Sequence, residues 1–178
     1  MAARGLALPG PGGTAVSRPL LGAVDHVALS VTDLDRSEQF YTTVLGFVVV
    51  MVVPDGRICM HPDTALMLAL VRHEKRRGGP FSELDTGVDH LGIAVSSRDD
   101  LVRWEHRLAD HGVTYTPVRD ELFGSHLNFR DPDAIALELT SGNELMATAR
   151  AEFRSGHAST DDIAAFVAHH VGAEFAVS

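Results

Sequence analysis

Two short stretches of the chain share one pattern of alternating side chains: VDHVALSV, which begins at Val24, and VDHLGIAV, which begins at Val88. Side chains of a β-strand alternate between its two faces. One face of each predicted strand is aliphatic, and the other carries a histidine with two small residues: His26, Ala28 and Ser30, then His90, Gly92 and Ala94. We expect the aliphatic face to pack on a helix and the small residues to border a cavity beside each imidazole.

Each repeated stretch is followed by a predicted helix and three strand-like runs. Thr32 and Ser97 are placed to cap the two helices, and Gly46 and Gly112 to end them. The runs FVVVMVV, RICMHP and ALMLALV follow the first helix, and VTYTPV, HLNFRDP and IALELT follow the second. The segments HPDTALMLAL and DPDAIALELT align without a gap. The sequence therefore predicts an α+β fold built from two βαβββ modules.

The repeat suggests how the chain is organised. Residues 1–20 are rich in Gly and Pro, which predicts a flexible arm. Residues 142–178 lie beyond the repeat and predict two helices, the first capped by Asn143 and the second within STDDIAAFVAHHVG. The apolar face of that second helix needs a partner surface, on this domain or on a second subunit. Between these ends we expect one domain over residues 21–141, with modules at about 21–72 and 87–141 and a linker at about 73–86.

Charge and composition narrow the function classes. With 15 Lys and Arg against 24 Asp and Glu, the net charge is -9, which argues against nucleic acid or an anionic membrane as a partner. No apolar stretch is long enough to span a bilayer, and the first residues lack the pattern of a signal peptide. The single cysteine, Cys59, forms no intramolecular disulfide and fits a reducing compartment. We expect a cytoplasmic protein that acts on a small molecule.

The last strands of the second half add polar groups to the histidine-bearing face. Alternation in IALELT puts Glu138 on the face opposite the aliphatic residues, and HLNFR puts His126, Asn128 and Arg130 on the corresponding face. A carboxylate within a strand is costly to bury unless it is paired or bound to a cation. Two interpretations remain open. The polar residues form hydrogen bonds and a Glu138–Arg130 ion pair in the interior, or two imidazoles and Glu138 form the facial triad that binds Fe(II) and similar divalent metals.

At this point the chain resembles the vicinal oxygen chelate superfamily, which includes glyoxalases, bleomycin-resistance proteins and ring-cleaving dioxygenases. The resemblance is carried by VDHVALSVTDLDRSEQFYTTVLGF and by DH…RDPDAIALEL, and it covers about residues 21–140. It implies two βαβββ modules whose curved sheets enclose a cup, with metal ligands on the first and fourth strands of each module. Carried over by position, the ligands are His26, His90 and Glu138, and the fourth-strand position of the first module aligns with Met67.

Three protein ligands resemble the ring-cleaving dioxygenases most, because they leave room on the metal for a substrate with two vicinal oxygens and for dioxygen. Fosfomycin-resistance proteins also use two histidines and a glutamate, in swapped dimers. The resemblance therefore implies a divalent metal, with Fe(II) or Mn(II) first and Zn or Ni as further candidates, and it allows a homodimer. In this hypothesis His126 is the general acid or base, Asn128 or Arg130 steers the substrate anion, and the apolar wall that contacts the substrate consists of Ile58, Met60 and Met67.

Two alternatives fit the same fold. A metal-free protein that binds a drug-like molecule, as the bleomycin-resistance proteins do, would rely on the apolar wall and on aromatic residues of the cup. The chain is poor in aromatic residues, and its one tryptophan, Trp104, belongs to a predicted helix stripe. A glyoxalase-type lyase or isomerase is the other alternative. That class uses an oxygen-bearing fourth ligand where Met67 is expected here.

Overall fold

The computed structural model describes residues 22–75, 79–155 and 159–176. Within them the chain forms two four-stranded mixed sheets, which confirms the predicted α+β fold of two βαβββ modules. The predicted N-terminal arm lies outside the described residues, as does a short part of the predicted linker. Among the described residues no helix is long and apolar enough to cross a membrane.

The elements follow the predicted order. The first module consists of β1 (His26–Ser30), α1 (Leu34–Gln39), β2 (Val48–Val53), β3 (Gly56–Met60) and β4 (Met67–Val71). The second module consists of β5 (Leu91–Ala94), α2 (Arg98–Asp110), β6 (Arg119–Glu121), β7 (Gly124–Arg130) and β8 (Ala136–Gly142). The chain continues into α3 (Glu144–Ser155) and α4 (Thr160–His170). The strand orders are β1-β4-β3-β2 and β5-β8-β7-β6, so β1 and β5 each lie at the edge of their sheet.

The helix caps form at the predicted residues with one exception. Ser97 caps α2 by accepting a hydrogen bond from the backbone of Asp100, as expected. The cap of α1 is Asp33 and not Thr32, because the Asp33 carboxylate accepts from two backbone N–H groups of the first turn. Thr32 is engaged elsewhere: its backbone N–H donates to the Asp133 carboxylate at 2.8 Å. After Gln39 the first helix continues as a π-helical turn, Phe40–Val44.

The strand faces have the predicted orientation. In β7 and β8 the burial alternates, with Leu127, Phe129, Leu137 and Leu139 at most 3% exposed. These side chains belong to one core shared by both modules, together with residues of α1 and α2. The opposite faces carry the histidines and small residues. Ala28, Ser30, Gly92 and Ala94 are exposed, so this face of each sheet, called the inner face below, is open in the single chain.

Polar contacts hold the two modules together through their helical sides. The Tyr41 hydroxyl after α1 donates to Asp131 at 3.0 Å, and the Arg36 guanidinium of α1 donates to Asp133 at 2.9 Å. From α2, Arg107 donates to the carbonyl of Val44 at 2.6 Å. The modules are therefore joined at their helix-bearing surfaces, and no hydrogen-bonded ladder joins β1 to β5 in the described residues.

The strand registers correct the alignment of the two fourth strands. In the second module Glu138 pairs with Gly92, two residues after His90. In the first module the residue two after His26 is Ala28, and it pairs with Ala69. Ala69 is therefore the structural equivalent of Glu138, and the prediction that Met67 takes this position is wrong. Met67 lies two residues from that position. The gapless alignment of HPDTALMLAL with DPDAIALELT places Leu68 opposite Glu138, one residue from Ala69, because it matches the two Pro-Asp pairs. The structure instead matches Ala65 with Ala134, both at positive φ.

Beyond the sheets, the two C-terminal helices form where the sequence predicts them. The Asn143 side chain accepts from the backbone of Met146 in the first turn of α3. Ser159 and Asp162 form a reciprocal capping box at the start of α4. No side chain of the described part of α4 is fully buried. The partner surface that its apolar face needs is thus incomplete in the single chain.

Candidate metal centre

Glu138 lies at the middle of the second inner face, and its two oxygens have different surroundings. Its side chain is 13% exposed. The Oε1 atom lies 2.9 Å from Nδ1 of His126 and 3.4 Å from Nδ2 of Asn128, on the neighbouring strand β7. The register explains these contacts, since Asn128 pairs directly with Glu138 and His126 lies diagonally beside it. Two of the predicted catalytic side chains therefore contact the predicted carboxylate ligand.

The other oxygen of Glu138 points toward the predicted histidine ligand of the same module. Nε2 of His90 lies 3.7 Å from Oε2 of Glu138. The second ring nitrogen of His90, Nδ1, lies 2.7 Å from the carboxylate of Asp89. Because a carboxylate only accepts, Nδ1 carries the hydrogen of this bond, and in the neutral imidazole Nε2 then keeps its lone pair. The unshared donor atoms of His90 and Glu138 thus face each other.

The space between these two donors is left open by a glycine. A Cβ atom placed on Gly92 would lie 3.5 Å from Oε2 of Glu138, so any side chain here would contact that oxygen. An imidazole nitrogen and a carboxylate oxygen are ligands that Fe(II), Mn(II) and Zn(II) accept. A neutral imidazole whose other nitrogen donates to a carboxylate is the usual arrangement of a metal-bound histidine. His90 and Glu138 therefore fit one half of a metal site.

The third predicted ligand does not join them within one chain. Among the described residues, no three His, Cys, Asp or Glu side chains form a group that could hold a metal ion. His26 lies on the other sheet, its side chain is 53% exposed, and its Nδ1 lies 2.8 Å from Asp25. The expectation that His26, His90 and Glu138 meet in a single chain is therefore not met. The reason is that the modules contact each other through their helices and leave both inner faces open.

The predicted substrate-contacting residues lie beside His26. Across the first sheet, His26 pairs with Met67, and Met67 pairs with Met60. Ile58 lies in the next row, where it pairs with Ala69. All three predicted side chains are partly buried on the inner face. The first inner face is therefore apolar apart from His26 and Ser30.

Arg130 is held away from Glu138. Its guanidinium donates to both carboxylate oxygens of Glu83, at 2.6 and 3.1 Å, and to the carbonyl of Ala134 at 3.1 Å. The hydrogen bonds that Arg130 donates to Glu83 lower the pKa of Glu83 and raise the pKa of Arg130. The interpretation of Glu138 as the acidic partner of Arg130 is therefore excluded. Of the three predicted catalytic residues, the structure brings His126 and Asn128 to the carboxylate and pairs Arg130 with another residue.

A cavity of about 500 Å³ adjoins His90. It lies along the free edge of β1, and residues 79–81, Leu91 and Ile135 also line it. Its size is within the range that holds a small organic molecule. His90 is the only one of the three predicted ligands among its lining residues.

The acidic neighbours of both histidines are not among the site residues predicted from the sequence. Asp25 and Asp89 each contact the Nδ1 atom of the histidine that follows them. The signal was present, because the dipeptide Asp-His occurs in both copies of the repeat. Its meaning was not evident, since adjacent residues of a strand are expected on opposite faces. Both aspartates precede the regular part of the strand, where this alternation does not apply.

The comparison with family models identifies the fold. Residues 23–139 match the model of the Glyoxalase/Bleomycin resistance protein/Dioxygenase superfamily. The chain belongs to this superfamily. The matched region runs from just before β1 into β8, so the C-terminal helices lie outside it.

Solved structures of the superfamily support this placement. The glyoxylase/bleomycin resistance protein/dioxygenase domain from Frankia sp. EAN1pec is 36% identical, with a TM-score of 0.64 over 70% of this chain and 100% of that chain. The fosfomycin resistance protein FosX from Listeria monocytogenes, in complex with Mn(II) and 1S,2S-dihydroxypropylphosphonic acid, is 17% identical. Its TM-score is 0.58 over 74% of this chain and 99% of that chain. At that identity the likeness shows the fold alone.

One sequence relative has a described activity. The trivalent organoarsenical cleaving enzyme of Bacillus sp. (strain MD1) is 32% identical over 88 residues, which are 49% of this chain and 50% of that protein. This chain therefore matches only half the length of that relative. The uncharacterized protein YwkD of Bacillus subtilis (strain 168) is 29% identical over 67% of this chain and 97% of its own length.

Proposed function

We propose that this protein is a metal-dependent enzyme of its superfamily, most like a ring-cleaving dioxygenase, with His26, His90 and Glu138 as the metal ligands. The observation that carries the proposal is the arrangement at Glu138. Nε2 of His90 and Oε2 of Glu138 face each other at 3.7 Å, and Asp89 and His126 occupy the remaining atom of each group. Fe(II) or Mn(II) is the expected metal, because both accept nitrogen and oxygen ligands and leave positions open.

In this proposal the protein residues prepare the site before any substrate arrives. Asp89 keeps the Nε2 lone pair of His90 available, and Gly92 keeps the space in front of Glu138 free. A divalent cation bound there would act as a Lewis acid and as a template for two vicinal oxygens of the substrate. The Nε2 atom of His126 remains the candidate to exchange a proton with the substrate, since its Nδ1 is engaged by Glu138.

We further propose that His26 reaches this site from a second copy of the chain. The inner face of each module is open in the single chain, and His26 and His90 are 53% and 43% exposed. The edges of β1 and β5, where the two faces would meet, are unpaired in the described residues. A C2 dimer in which the first module of one copy faces the second module of the other would close two equivalent cups. Each cup would then contain two histidines and one glutamate.

The exposed strand β2 supports a covering partner. Val48, Val50, Met51, Val52 and Val53 are 39–64% exposed. A contiguous run of exposed apolar side chains on an edge strand invites pairing or aggregation in a monomer. No charged residue lies in this strand to prevent it. A second copy that covers the first inner face and its edge would remove this surface from water.

The two walls of such a cup suggest the class of substrate. The first inner face would contribute thioether and aliphatic surface through Met60, Met67 and Ile58. The second would contribute the polar groups around Glu138. A molecule with two vicinal oxygens at one end and a flat apolar body at the other, such as a catechol, matches both walls.

The arsenical substrate of the relative fits this chain less well. Trivalent arsenic binds thiolates, and the sequence contains one cysteine, Cys59. That side chain is fully buried and pairs with Val49 and Leu68 on the helix-facing side of the first sheet. Burial raises the pKa of the Cys59 thiol, so it is neither accessible nor readily ionised. We therefore favour oxygen ligands as the part of the substrate that is recognised.

The proposal is tested by metal content and turnover. The protein purified without chelator is expected to contain Fe or Mn. Loading with Fe(II) or Mn(II) under anaerobic conditions, followed by an assay in oxygen-containing buffer, should raise the rate of ring cleavage of a catechol panel. His90→Ala and Glu138→Gln should lose both metal and activity, and Glu121→Gln, on the exposed edge strand β6, should retain both. Absence of bound metal, with no gain on metal addition, would contradict the proposal and favour a metal-free binding protein.

The shared site is tested by mixing two inactive variants. His26→Ala and Glu138→Gln each destroy every site in their own homodimer. If ligands come from two copies, unfolding and refolding the mixture produces heterodimers with one intact site each. About a quarter of the parent metal content and activity should then return, from random pairing of two chain types. A site formed within one chain would give no recovery in the same mixture.

A further inference from the structure

The side chains around Glu138 are arranged asymmetrically, and this asymmetry determines which oxygen is available. Oε1 is contacted from β7 by Nδ1 of His126 at 2.9 Å and by the Asn128 amide at 3.4 Å. Oε2 has neither contact and faces Nε2 of His90. The His126 side chain is only 22% exposed, so its bond to the carboxylate is partly shielded from water. An ionised carboxylate accepts only, so both neighbours donate to it.

We propose that His126 and Asn128 are positioning residues that fix the rotamer of Glu138 and leave Oε2 as the metal-binding atom. The inference rests on the proposed function, because it concerns the same metal site, and it changes the role first expected of these two residues. A free glutamate side chain explores several rotamers, and ordering it on metal binding has an entropic cost. Hydrogen bonds present before the metal arrives remove this cost and orient the ligand.

Asp89 has the same positioning role toward His90, the second predicted ligand. Its contact with Nδ1 of His90, at 2.7 Å, sets the tautomer in which Nε2 is the bare nitrogen. Asp25 contacts His26 in the same way on the other sheet. Each predicted ligand thus has one atom engaged by a neighbour, and its other nitrogen or oxygen would bind the metal. His126 contributes most to this arrangement for Glu138, because its bond is shorter than that of Asn128.

A positioning role and a catalytic role make different predictions for the same variant. If His126 positions Glu138, its removal weakens metal binding even when no substrate is present. If His126 only exchanges a proton with the substrate, its removal slows turnover and leaves metal affinity unchanged. The variant His126→Asn separates the two roles. An asparagine amide can place a donor near the position of the His126 Nδ1 atom, and it has no group for proton exchange.

The experiment measures Mn(II) binding to the full chain in the absence of substrate, by calorimetry and by the electron paramagnetic resonance signal of free Mn(II). His126→Ala should raise the Kd by about 10–100-fold. Asn128→Ala should raise it by a smaller factor, and His126→Asn should recover most of the affinity. The matched control is His106→Ala, an exposed histidine of α2, which should bind like the parent. The resonance of bound Mn(II) should broaden in His126→Ala if Glu138 becomes mobile.

The outcomes separate this inference from the proposed function. A parent that binds Mn(II) while His126→Ala binds equally well overturns the positioning role and leaves the metal site standing. A parent that binds no Mn(II) overturns both. If His126→Ala does not fold, as judged by circular dichroism, the comparison of Asn128→Ala and His126→Asn with the parent decides the matter. In that comparison a positioning role requires weakened binding in Asn128→Ala and near-parent binding in His126→Asn.

Discussion

The hydrogen bond between Tyr41 and Asp131 offers the sharpest test of how the two modules are held together. The Tyr41 ring is fully buried and Asp131 is 5% exposed. Burial, and then the nearby Asp131 carboxylate, raise the pKa of Tyr41, so its hydroxyl stays protonated and donates to Oδ2 of Asp131 at 3.0 Å. The other oxygen, Oδ1, already accepts from the backbone N–H groups of Asp133 and Ile135. Tyr41→Phe therefore removes the one hydrogen bond that Oδ2 receives from the described residues.

The expected magnitude follows from what the substitution leaves behind. Phenylalanine keeps the edge-on ring contacts with Phe40 and Phe47, so no cavity forms. A buried carboxylate oxygen without its donor costs about 1.5–3 kcal/mol, the range for hydrogen bonds to charged groups. For a chain of this length, that loss corresponds to a decrease in Tm of roughly 3–12 °C. Urea unfolding followed by circular dichroism measures the free energy directly.

The difference in stability between the parent and Tyr41→Phe should depend on pH, through the ionisation of Asp131. Burial raises the pKa of Asp131, and the hydrogen bond from Tyr41 opposes that rise. Without the hydroxyl the folded-state pKa rises further. An acidic group whose pKa is higher in the folded state than in the unfolded state destabilises the fold when it is ionised. This destabilisation disappears when the group is protonated. The difference between parent and variant should therefore be largest at neutral pH and shrink as the pH falls toward about 4, where carboxylates protonate.

The matched control is Tyr115→Phe, at the other tyrosine of the sequence, for which the structure gives no hydroxyl hydrogen bond among the described residues. It should change the free energy of unfolding by less than about 0.5 kcal/mol. Two results would refute the reasoning. One is a Tyr41→Phe variant as stable as this control. The other is a difference that grows as the pH falls, since that would mean that Asp131 is not the group left unsatisfied.

Three further changes test other parts of the fold. Ser37→Ala should raise stability by about 0.5–1 kcal/mol in urea unfolding, because the buried Ser37 hydroxyl has no hydrogen-bond partner among the described residues; a loss of stability would contradict this. Asp120→Asn should lower the Tm at neutral pH, because Arg98 and then Ser125 lower the pKa of Asp120 to about 2. That stabilisation is present above the unfolded pKa and is lost as the pH falls through about 2, so a Tm difference that does not depend on pH would exclude this cause. Ala134 has φ 64°, so in thermal unfolding Ala134→Gly should match or exceed the parent Tm and Ala134→Val should fall below it; equal effects would show that the strain is absent.

Periodicity within short segments accounts for what the sequence predicted correctly. The phase of β1, β7 and β8 follows from alternation alone, and the structure buries the aliphatic side of β7 and β8 and partly buries that of β1. The caps at Ser97 and Asn143 followed from local chemistry. Asp33 was missed as the cap of α1 because Thr32 and Asp33 are both good caps. The choice between them depends on Asp133, about a hundred residues away, which engages Thr32.

The packing and register of segments that are distant in the sequence could not be predicted from local patterns. The strand phase selected His26, His90 and Glu138 as candidates, and it could not say whether the two sheets face each other within one chain. That depends on which surfaces of the modules pack, and contacts such as Arg107 with the Val44 carbonyl are not visible in any local pattern. The assignment of this position to Met67, two residues from Ala69, has the same origin. The register of β1 with β4 is fixed by pairing in three dimensions.

In the corrected register, the two modules differ at several neighbouring positions that contact one another, and not at a single position. Glu138 in the second module corresponds to Ala69 in the first, and its register partner Asn128 corresponds to Ile58. A carboxylate placed among aliphatic side chains would be left without donors, and the donors would be unsatisfied without the carboxylate. Each polar group around Glu138 is therefore useful only in the presence of the others. The first module has no carboxylate at this position and needs no donors for one, which agrees with the apolar wall beside His26.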